Sequence, residues 1–164
     1  MEIKKILIFI FIVIPIFAYS QDIGKEARQF SGKTESGEKI NLSDYRGKVI
    51  ILDFWASWCK PCKEEIPYLI ELYNQYSDKG FSVLAVNVDK DIANLRKFLL
   101  DINKDVPYKI ILDPEAKIPS DYNLDSMPSA FVIDKNGVVK YIHIGFLSGD
   151  KEKFKNEIET LLSE

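Results

Sequence analysis

The sequence predicts an α/β domain in which parallel strands come first and an antiparallel hairpin comes last. Two observations support this prediction. Apolar runs of strand length alternate with amphipathic helical segments along most of the chain, an order typical of parallel βα units. Near the end, two apolar segments flank an Asn-Gly pair at residues 136–137, which is a strong hairpin signal. The predicted element order is therefore β-α-β-α-β-α-β-β-α.

The centre of this domain is a nearly continuous apolar run over residues 49–55, which is typical of a strand buried on both faces. After a short turn, apolar residues recur at three- and four-residue steps. This spacing predicts a helix from residue 59 to about residue 77, with Pro67 inside it. Further strands are predicted over residues 81–88, 109–112, 129–133 and 138–144, and further helices over residues 91–102, up to 122, and 150–162.

The segment before the central strand has a different character. Residues 22–48 are polar and rich in turn residues, with short alternating stretches at residues 27–30 and near residues 39–42. This pattern predicts an N-terminal strand or hairpin laid on the main domain.

The first twenty residues have the layout of a secretory signal peptide. A basic start is followed by an apolar run over residues 6–17 and then by the small residues Ala18 and Ser20, which fit a cleavage site. The run is shorter than the ~20 residues that span a bilayer, which favours cleavage over the alternative of a membrane anchor. We expect a signal peptide at residues 1–20, the only part able to associate with a membrane, and one exported domain at residues 21–164.

Composition limits the classes of function. The 164 residues are 46% hydrophobic and 12% aromatic, which suits one compact domain with a core and excludes intrinsic disorder. The formal net charge of −3 lacks the basic footprint of a nucleic-acid-binding protein. We therefore expect no nucleic-acid partner.

The only two cysteines, Cys59 and Cys62, are separated by two residues. Export would place them in an oxidising compartment, where a disulfide persists. A loop this small adds little stability, so a structural staple explains the pair poorly. A structural zinc site needs four ligands, and the single histidine, His143, lies in a distant strand as a surface or edge residue. A redox couple is favoured, with no cofactor other than the Cys59–Cys62 disulfide itself.

Disulfide exchange needs a thiolate, and a helix N-terminus with its unpaired N–H groups favours one at Cys59. Cys62, one turn further on, fits a resolving thiol. Pro61 suits an early helical position because its missing N–H costs nothing there. We expect Cys59 to attack a substrate disulfide and Cys62 to release the reduced product.

Proton transfer to and from the thiols needs an acid or base. Asp53 lies within the apolar strand, where desolvation should raise its pKa. Glu65 stands one helical turn after Cys62 and is a second candidate. The alternative interpretations are a strand-end aspartate at residue 53 and a solvated glutamate at residue 65.

The segment Leu-Asp-Phe-Trp-Ala-Ser-Trp-Cys-Lys-Pro-Cys at residues 52–62 resembles the thioredoxin active-site region, including Trp58 before the first cysteine. Two further segments, Cys-Lys-Glu-Glu-Ile-Pro at residues 62–67 and Met-Pro-Ser-Ala-Phe-Val-Ile-Asp-Lys-Asn-Gly at residues 127–137, are similar to secreted TlpA/ResA-like thiol-disulfide oxidoreductases. The resemblance runs from about residue 24 to the end. It implies a thioredoxin-like fold: a central mixed sheet flanked by helices, with an N-terminal strand extension and an extra helix and strand at residues 91–112.

The resemblance also implies a site. Met127-Pro128 should be a cis peptide facing the cysteines, with backbone beside Pro128 pairing with a substrate strand, and Trp58 and Pro61 should help to bind the substrate. An acid at the position of Glu65 is typical of ResA-like proteins. These relatives often carry Asn where this chain has Asp53, so the choice between the two acids stays open.

The function that follows is an exported, periplasmic or otherwise extracytoplasmic, thiol-disulfide oxidoreductase. We expect it to reduce cysteine-containing client proteins, such as an apocytochrome c, with electrons from a membrane thiol reductase. Two alternatives stay open at this point. One is a peroxiredoxin-like thiol peroxidase, because peroxiredoxins share the fold, and the other is a redox-inert binding module or chaperone.

Overall fold

The structure, a computed structural model, describes residues 23–164. The strands are β1 Ser31–Lys33, β2 Lys39–Asn41, β3 Val49–Trp55, β4 Phe81–Asn87, β5 Lys109–Leu112, β6 Ser129–Ile133 and β7 Val139–Ile144. The helices are α1 Cys62–Tyr76, α2 Ile92–Asp101, α3 Lys117–Asp121 and α4 Asp150–Ser163. The predicted order of elements from residue 49 onward is therefore confirmed.

The seven strands form one mixed sheet in the order β2-β1-β5-β4-β3-β6-β7. β3 and β4 run parallel, as do β4 and β5, whereas β6 and β7 are antiparallel to their neighbours. The helix and strand at residues 91–112 are present as α2 and β5, which lies between β4 and the N-terminal hairpin. The predicted succession of parallel strands and a final antiparallel hairpin is correct.

β3 occupies the centre of the sheet, and all seven of its residues are buried. Its side chains alternate between two apolar clusters, because successive residues of a strand point to opposite faces. Ile51 and Trp55 pack with α1, α2 and α4, while Leu52 and Phe54 pack on the other side near α3. Burial on both faces explains the nearly unbroken apolar run of this strand.

The predicted N-terminal hairpin is present and its stretch near residues 39–42 is β2, so only the stretch at residues 27–30 was misplaced. β1 and β2 form an antiparallel hairpin at the sheet edge, but residues 27–30 are not a strand. That stretch instead runs beside the β6–β7 turn, where the Ala27 N–H donates to the Gly137 carbonyl at 2.9 Å. The alternation there reflects one buried side chain, Ala27, and not a ladder of paired residues.

The turn between β6 and β7 confirms the Asn-Gly hairpin signal. Asp134 accepts hydrogen bonds from the backbone N–H groups of Asn136 and Val138, at 2.9 and 2.8 Å. Gly137 has a φ of +77°, and a Cβ there would collide with the Arg46 guanidinium. Only glycine fits both requirements without strain.

The predicted signal peptide, residues 1–20, lies outside the described residues. Within residues 23–164, none of the helices combines the length and the apolar character that crossing a membrane requires.

Candidate active site

The two cysteines lie where the chain leaves the carboxyl end of β3 and turns into α1. They form a disulfide with an S–S distance of 2.07 Å and a Cα–Cα distance of 5.4 Å. Active sites of open α/β sheets commonly lie at the carboxyl ends of parallel strands, because loops and helix N-termini converge there. The disulfide is therefore in the position that suits a reacting group.

The helix begins later than the sequence predicts. α1 starts at Cys62, with Pro61 as its N-cap, and Cys59 lies in the turn before it, where its N–H donates to the Ala56 carbonyl. This places Cys59 just beyond the N-terminus, facing the first N–H groups of the helix. The N–H of Cys62 donates to Cys59 Sγ at 3.3 Å. The correction strengthens the reason for expecting a thiolate at Cys59, since an N–H donor points at its sulfur.

Asp53 is fully buried in the middle of β3. Neither carboxyl oxygen has a hydrogen-bond partner of normal geometry among the described residues. Desolvation raises the pKa of Asp53 to about 8, and the backbone N–H of Phe54 offsets only part of this rise. The carboxyl group is therefore poised to exchange a proton close to neutral pH.

Glu65 is also fully buried, on the first turn of α1, so it is not the solvated surface residue of the alternative interpretation. Its two oxygens have no hydrogen-bond partner within residues 23–164. Desolvation raises its pKa well above the usual range, and the charges of Asp53 and Asp150 raise it further. Two buried acids, one on β3 before the cysteine turn and one on the first turn of α1, thus interact electrostatically, and they favour sharing at least one proton.

Two further residues interact with residues of the site, and the sequence analysis did not single them out. Tyr108 lies just before β5 and is buried. Desolvation raises the pKa of its hydroxyl, and the charges of Asp53 and Glu65 raise it further. Asp89 accepts hydrogen bonds from the N–H and the Oγ of Ser57, at 3.0 and 2.8 Å. Asp89 thereby ties the turn before the cysteines to the carboxyl end of β4. The position of Asp89 immediately after a buried strand was a sequence signal that could have identified it. No sequence signal identified Tyr108.

Met127-Pro128 is a cis peptide in the structure. Phe54 pairs with Ser129 across β3 and β6, so Pro128 comes next to the end of β3, where the chain turns toward the cysteines. The Pro128 carbonyl accepts a hydrogen bond from the Gly145 N–H at 2.8 Å. That carbonyl is used within the fold, so Met127 is the residue beside the proline to consider for pairing with a substrate strand.

An open groove of about 800 Å³ runs beside the cysteine turn. Trp58 and Met127 line it together with Val88, Lys90 and Pro114. The Trp58 side chain is 68% exposed, which is unusual for a large aromatic residue within this core-rich domain. Pro61 is half-buried next to it in the cysteine turn.

His143 lies on the edge strand β7, as expected, but its ring is packed and not exposed. It stacks on Phe154 of α4 at 4.2 Å between ring centres, and its Nε2 lies 2.7 Å from the Glu157 carboxylate. Among residues 23–164, no three histidine, cysteine or acidic side chains form a group that could hold a metal ion.

Comparison with known proteins agrees with this architecture. The AhpC/TSA family model matches residues 23–142. Thiol-disulfide oxidoreductase ResA of Geobacillus thermodenitrificans is 38% identical over 139 residues, covering 85% of this chain and 78% of the relative. Thioredoxin-like protein YneN of Bacillus subtilis is 37% identical and covers 83% of this chain and 79% of its own length.

A solved structure is similar across the whole described domain. It is a Chlorobium tepidum protein proposed to be the thiol:disulfide interchange protein DsbE, with 38% identity and a TM-score of 0.82. The match covers 87% of this chain and 99% of that one. The fold is therefore thioredoxin-like, as the resemblance implied. The chain belongs to the AhpC/TSA family of thioredoxin-like proteins and is a thiol-disulfide oxidoreductase similar to ResA.

Proposed function

We propose that this protein acts outside the cytoplasm as a reductant, using Cys59 and Cys62 to reduce disulfides in client proteins. The observation that carries the proposal is the disulfide itself. It closes at the N-terminus of α1 beside two buried acids, Asp53 and Glu65, that have no hydrogen-bond partners among the described residues. A buried charge without a partner is costly, so such a pair is better explained by chemistry than by stability.

The reaction balances in two steps. The Cys59 thiolate attacks one sulfur of the client disulfide, forming a mixed disulfide and releasing a client thiolate. Cys62 then loses its proton and attacks Cys59 Sγ, which closes the enzyme disulfide and releases the second client thiolate. Two electrons pass to the client, whose two sulfurs take up protons. The enzyme is oxidised and must be reduced again by another dithiol.

The proton of Cys62 needs an acceptor, because Cys62 is fully buried. In our proposal Asp53 is the main acceptor, since its pKa of about 8 lies close to the operating pH. Glu65 is the second acid of the pair and shares the proton with Asp53.

The groove beside the cysteine turn supplies a place for the client. We propose that Trp58, Pro61, Met127 and Pro128 contact an extended client segment there, with Met127 offering the backbone. This is the substrate-binding role that the family resemblance implies, and the exposed face of Trp58 supports it.

We further propose that the clients are cysteine-containing proteins such as an apocytochrome c, and that a membrane thiol reductase supplies the electrons. The similarity to ResA, which is named a thiol-disulfide oxidoreductase, supports thiol-disulfide exchange with such clients. The proposal includes export through a signal peptide at residues 1–20, supported by the charge and apolar pattern of that segment.

Insulin reduction by dithiothreitol tests the proposal directly. The wild-type protein should accelerate it, and both Cys59→Ser and Cys62→Ser should abolish the acceleration. Equal acceleration by the wild type and both variants would reject the proposed chemistry, and absence of acceleration by the wild type would leave a redox-inert binding role. Steady turnover of peroxide that disappears with Cys59→Ser, without insulin reduction, would indicate a thiol peroxidase instead.

A further inference from the structure

Tyr108 is a buried tyrosine whose hydroxyl has no partner in the part of the chain that the structure describes. Its ring packs against Tyr73 of α1, at 5.8 Å between ring centres, within the same apolar cluster as Cys62. A buried hydroxyl left without a hydrogen bond destabilises the folded state. Disulfide exchange between Cys59, Cys62 and a client gives no reason for this cost, since phenylalanine would fill the same space.

Strand register places Tyr108 near Asp53. Asp53 pairs with Ala85 on β4, and Ala85 pairs with Ile110 on β5. Tyr108 stands two residues before Ile110 and shares its apolar cluster, because side chains alternate along extended chain. Strands lie about 4.8 Å apart, so β5 is roughly 10 Å from β3. The small side chain of Ala85 between them leaves room for the long side chain of Tyr108 to extend toward the short side chain of Asp53.

Among the described residues, four side chains carry buried polar groups without a hydrogen-bond partner: the carboxyl groups of Asp53 and Glu65, the hydroxyl of Tyr108 and the indole N–H of Trp55. Trp55 and Tyr108 belong to the same apolar cluster. The charges of Asp53 and Glu65 contribute to raising the pKa of the Tyr108 hydroxyl, which agrees with the placement that the strand register gives. When a carboxyl group gives up its proton, it becomes a pure acceptor and needs a donor. Two unpartnered donors lie in this cluster, the indole N–H of Trp55 and the phenol O–H of Tyr108. The phenol O–H can rotate toward whichever carboxylate forms, whereas the indole N–H is fixed in the plane of its ring.

The charged and titratable groups that face this region come from several elements. Asp53 comes from β3, Glu65 from α1 and Asp150 from α4, and the cysteine sulfurs lie at the turn above them. All three side chains are acidic, and no cation among the described residues lowers the pKa of Asp53 or Glu65. A neutral donor is thus the available means of stabilising a carboxylate here.

We propose that Tyr108 is a positioning residue for proton transfer at the cysteine pair. Its hydroxyl donates a hydrogen bond, directly or through one ordered water, to the carboxylate that forms on Asp53 or Glu65 when the proton is exchanged with Cys62. The proposal rests on the proposed function, because it assigns Tyr108 a part in the same proton transfer. Tyr108 does not touch the substrate; it acts through the acids.

The pH dependence of thiol-disulfide exchange provides the test. In the proposed mechanism the carboxylate is the base, so the rate rises with pH through the pKa of the acid pair. Tyr108→Phe removes the donor and should move the midpoint of this rise upward by about one pH unit, as loss of a charge-assisted hydrogen bond predicts. Below the midpoint the rate should fall about tenfold, while the high-pH plateau stays at the wild-type value.

Tyr73→Phe is the matched control, since it removes a hydroxyl from the neighbouring ring of the same aromatic pair. Its midpoint should equal that of the wild type. In an Asp53→Asn, Glu65→Gln background, Tyr108→Phe should have no further effect on the profile. An unchanged midpoint in Tyr108→Phe, an equal shift in Tyr73→Phe, or a persistent shift without the acids would overturn the proposal.

A measurement on the wild-type protein makes the test independent of folding of the variant and of activity. With ¹³C-labelled tyrosine, the Cζ resonance of Tyr108 should shift with an inflection at the pH where the buried carboxyl groups titrate. Absence of that inflection overturns the positioning role even if insulin is reduced. An inflection with no cysteine-dependent reduction of insulin would instead remove the proposed function and leave the hydrogen bond in place.

Discussion

The backbone N–H of Cys62 donates a hydrogen bond to Cys59 Sγ at 3.3 Å. The donor is the first residue of α1, so the positive end of the helix is directed at the sulfur that lies outside the helix. Cys62 itself is fully buried, whereas Cys59 keeps a small exposed fraction of 4%. The two chemically identical side chains are thus in unequal surroundings, and this inequality assigns their proposed roles.

Cys62→Ser should trap a mixed disulfide between Cys59 and a client, because the attacking sulfur remains and the resolving one is gone. Incubation with an oxidised client peptide, followed by mass spectrometry under non-reducing conditions, detects the adduct. Cys59→Ser is the matched control and should trap little. Trapping by Cys59→Ser alone would reverse the two roles.

Asp53→Asn should slow disulfide exchange at pH 7 by about 100-fold, the size of a general acid–base contribution. Glu65→Gln should slow it less, because in our proposal Asp53 remains as the main proton acceptor. Stopped-flow fluorescence of Trp58 next to the disulfide follows the reaction. Equal rates in the two variants would remove the ranking of the acids.

Burial of Asp53 also predicts how stability depends on pH. Its pKa is about 8 in the folded state and about 4 in the unfolded state, so the folded state holds the proton over this range. The contribution of the Asp53 carboxyl group to stability is fully present below about pH 4 and is lost as the pH rises toward 8. Between these two pH values, the free energy of unfolding should therefore fall by several kcal/mol less in Asp53→Asn than in the wild type.

Urea unfolding of the oxidised proteins at pH 5 and pH 8 measures this difference. Asp121→Asn is a suitable control, because Asp121 is an exposed acid at the end of α3. It should follow the wild type at both pH values. A wild-type protein equally stable at pH 5 and pH 8 would show that Asp53 ionises without cost.

Trp58→Ala should raise KM for a protein client by about tenfold, because large exposed aromatic side chains dominate the energy of contact surfaces. Leu100→Ala is the control, since Leu100 is 79% exposed and lies away from the groove, on α2. Steady-state reduction of a fluorescent protein disulfide gives both constants. Equal KM values in the two variants would exclude Trp58 from client binding.

The fold could be predicted from the sequence wherever a local pattern is compatible with only one structure. The apolar run at β3 and the Asn-Gly turn each have a single structural solution, and both were located correctly. The start of α1 was three residues too early, because Cys59 and Pro61 fit a turn and a first helical turn equally well. Local patterning cannot separate these alternatives.

Site residues close to the cysteines in sequence could be predicted, whereas residues that approach the site only through strand pairing could not. Glu65 lies three residues after Cys62 and four before Leu69, so its buried position follows from helical spacing once the face of α1 is known. Tyr108 joins the site only through the pairing of β5 with β4, which no local pattern specifies. The cis peptide before Pro128 was expected from the family resemblance alone, because local preference favours trans.

The midpoint potential of the Cys59–Cys62 couple at pH 7 tests the central claim most directly, because it decides the direction of electron flow. Equilibration with defined dithiothreitol and glutathione buffers, read by thiol alkylation, gives the value. A reductant of client disulfides should have a midpoint near that of thioredoxin, about −270 mV. A midpoint near about −120 mV would make the protein an oxidant and contradict the account.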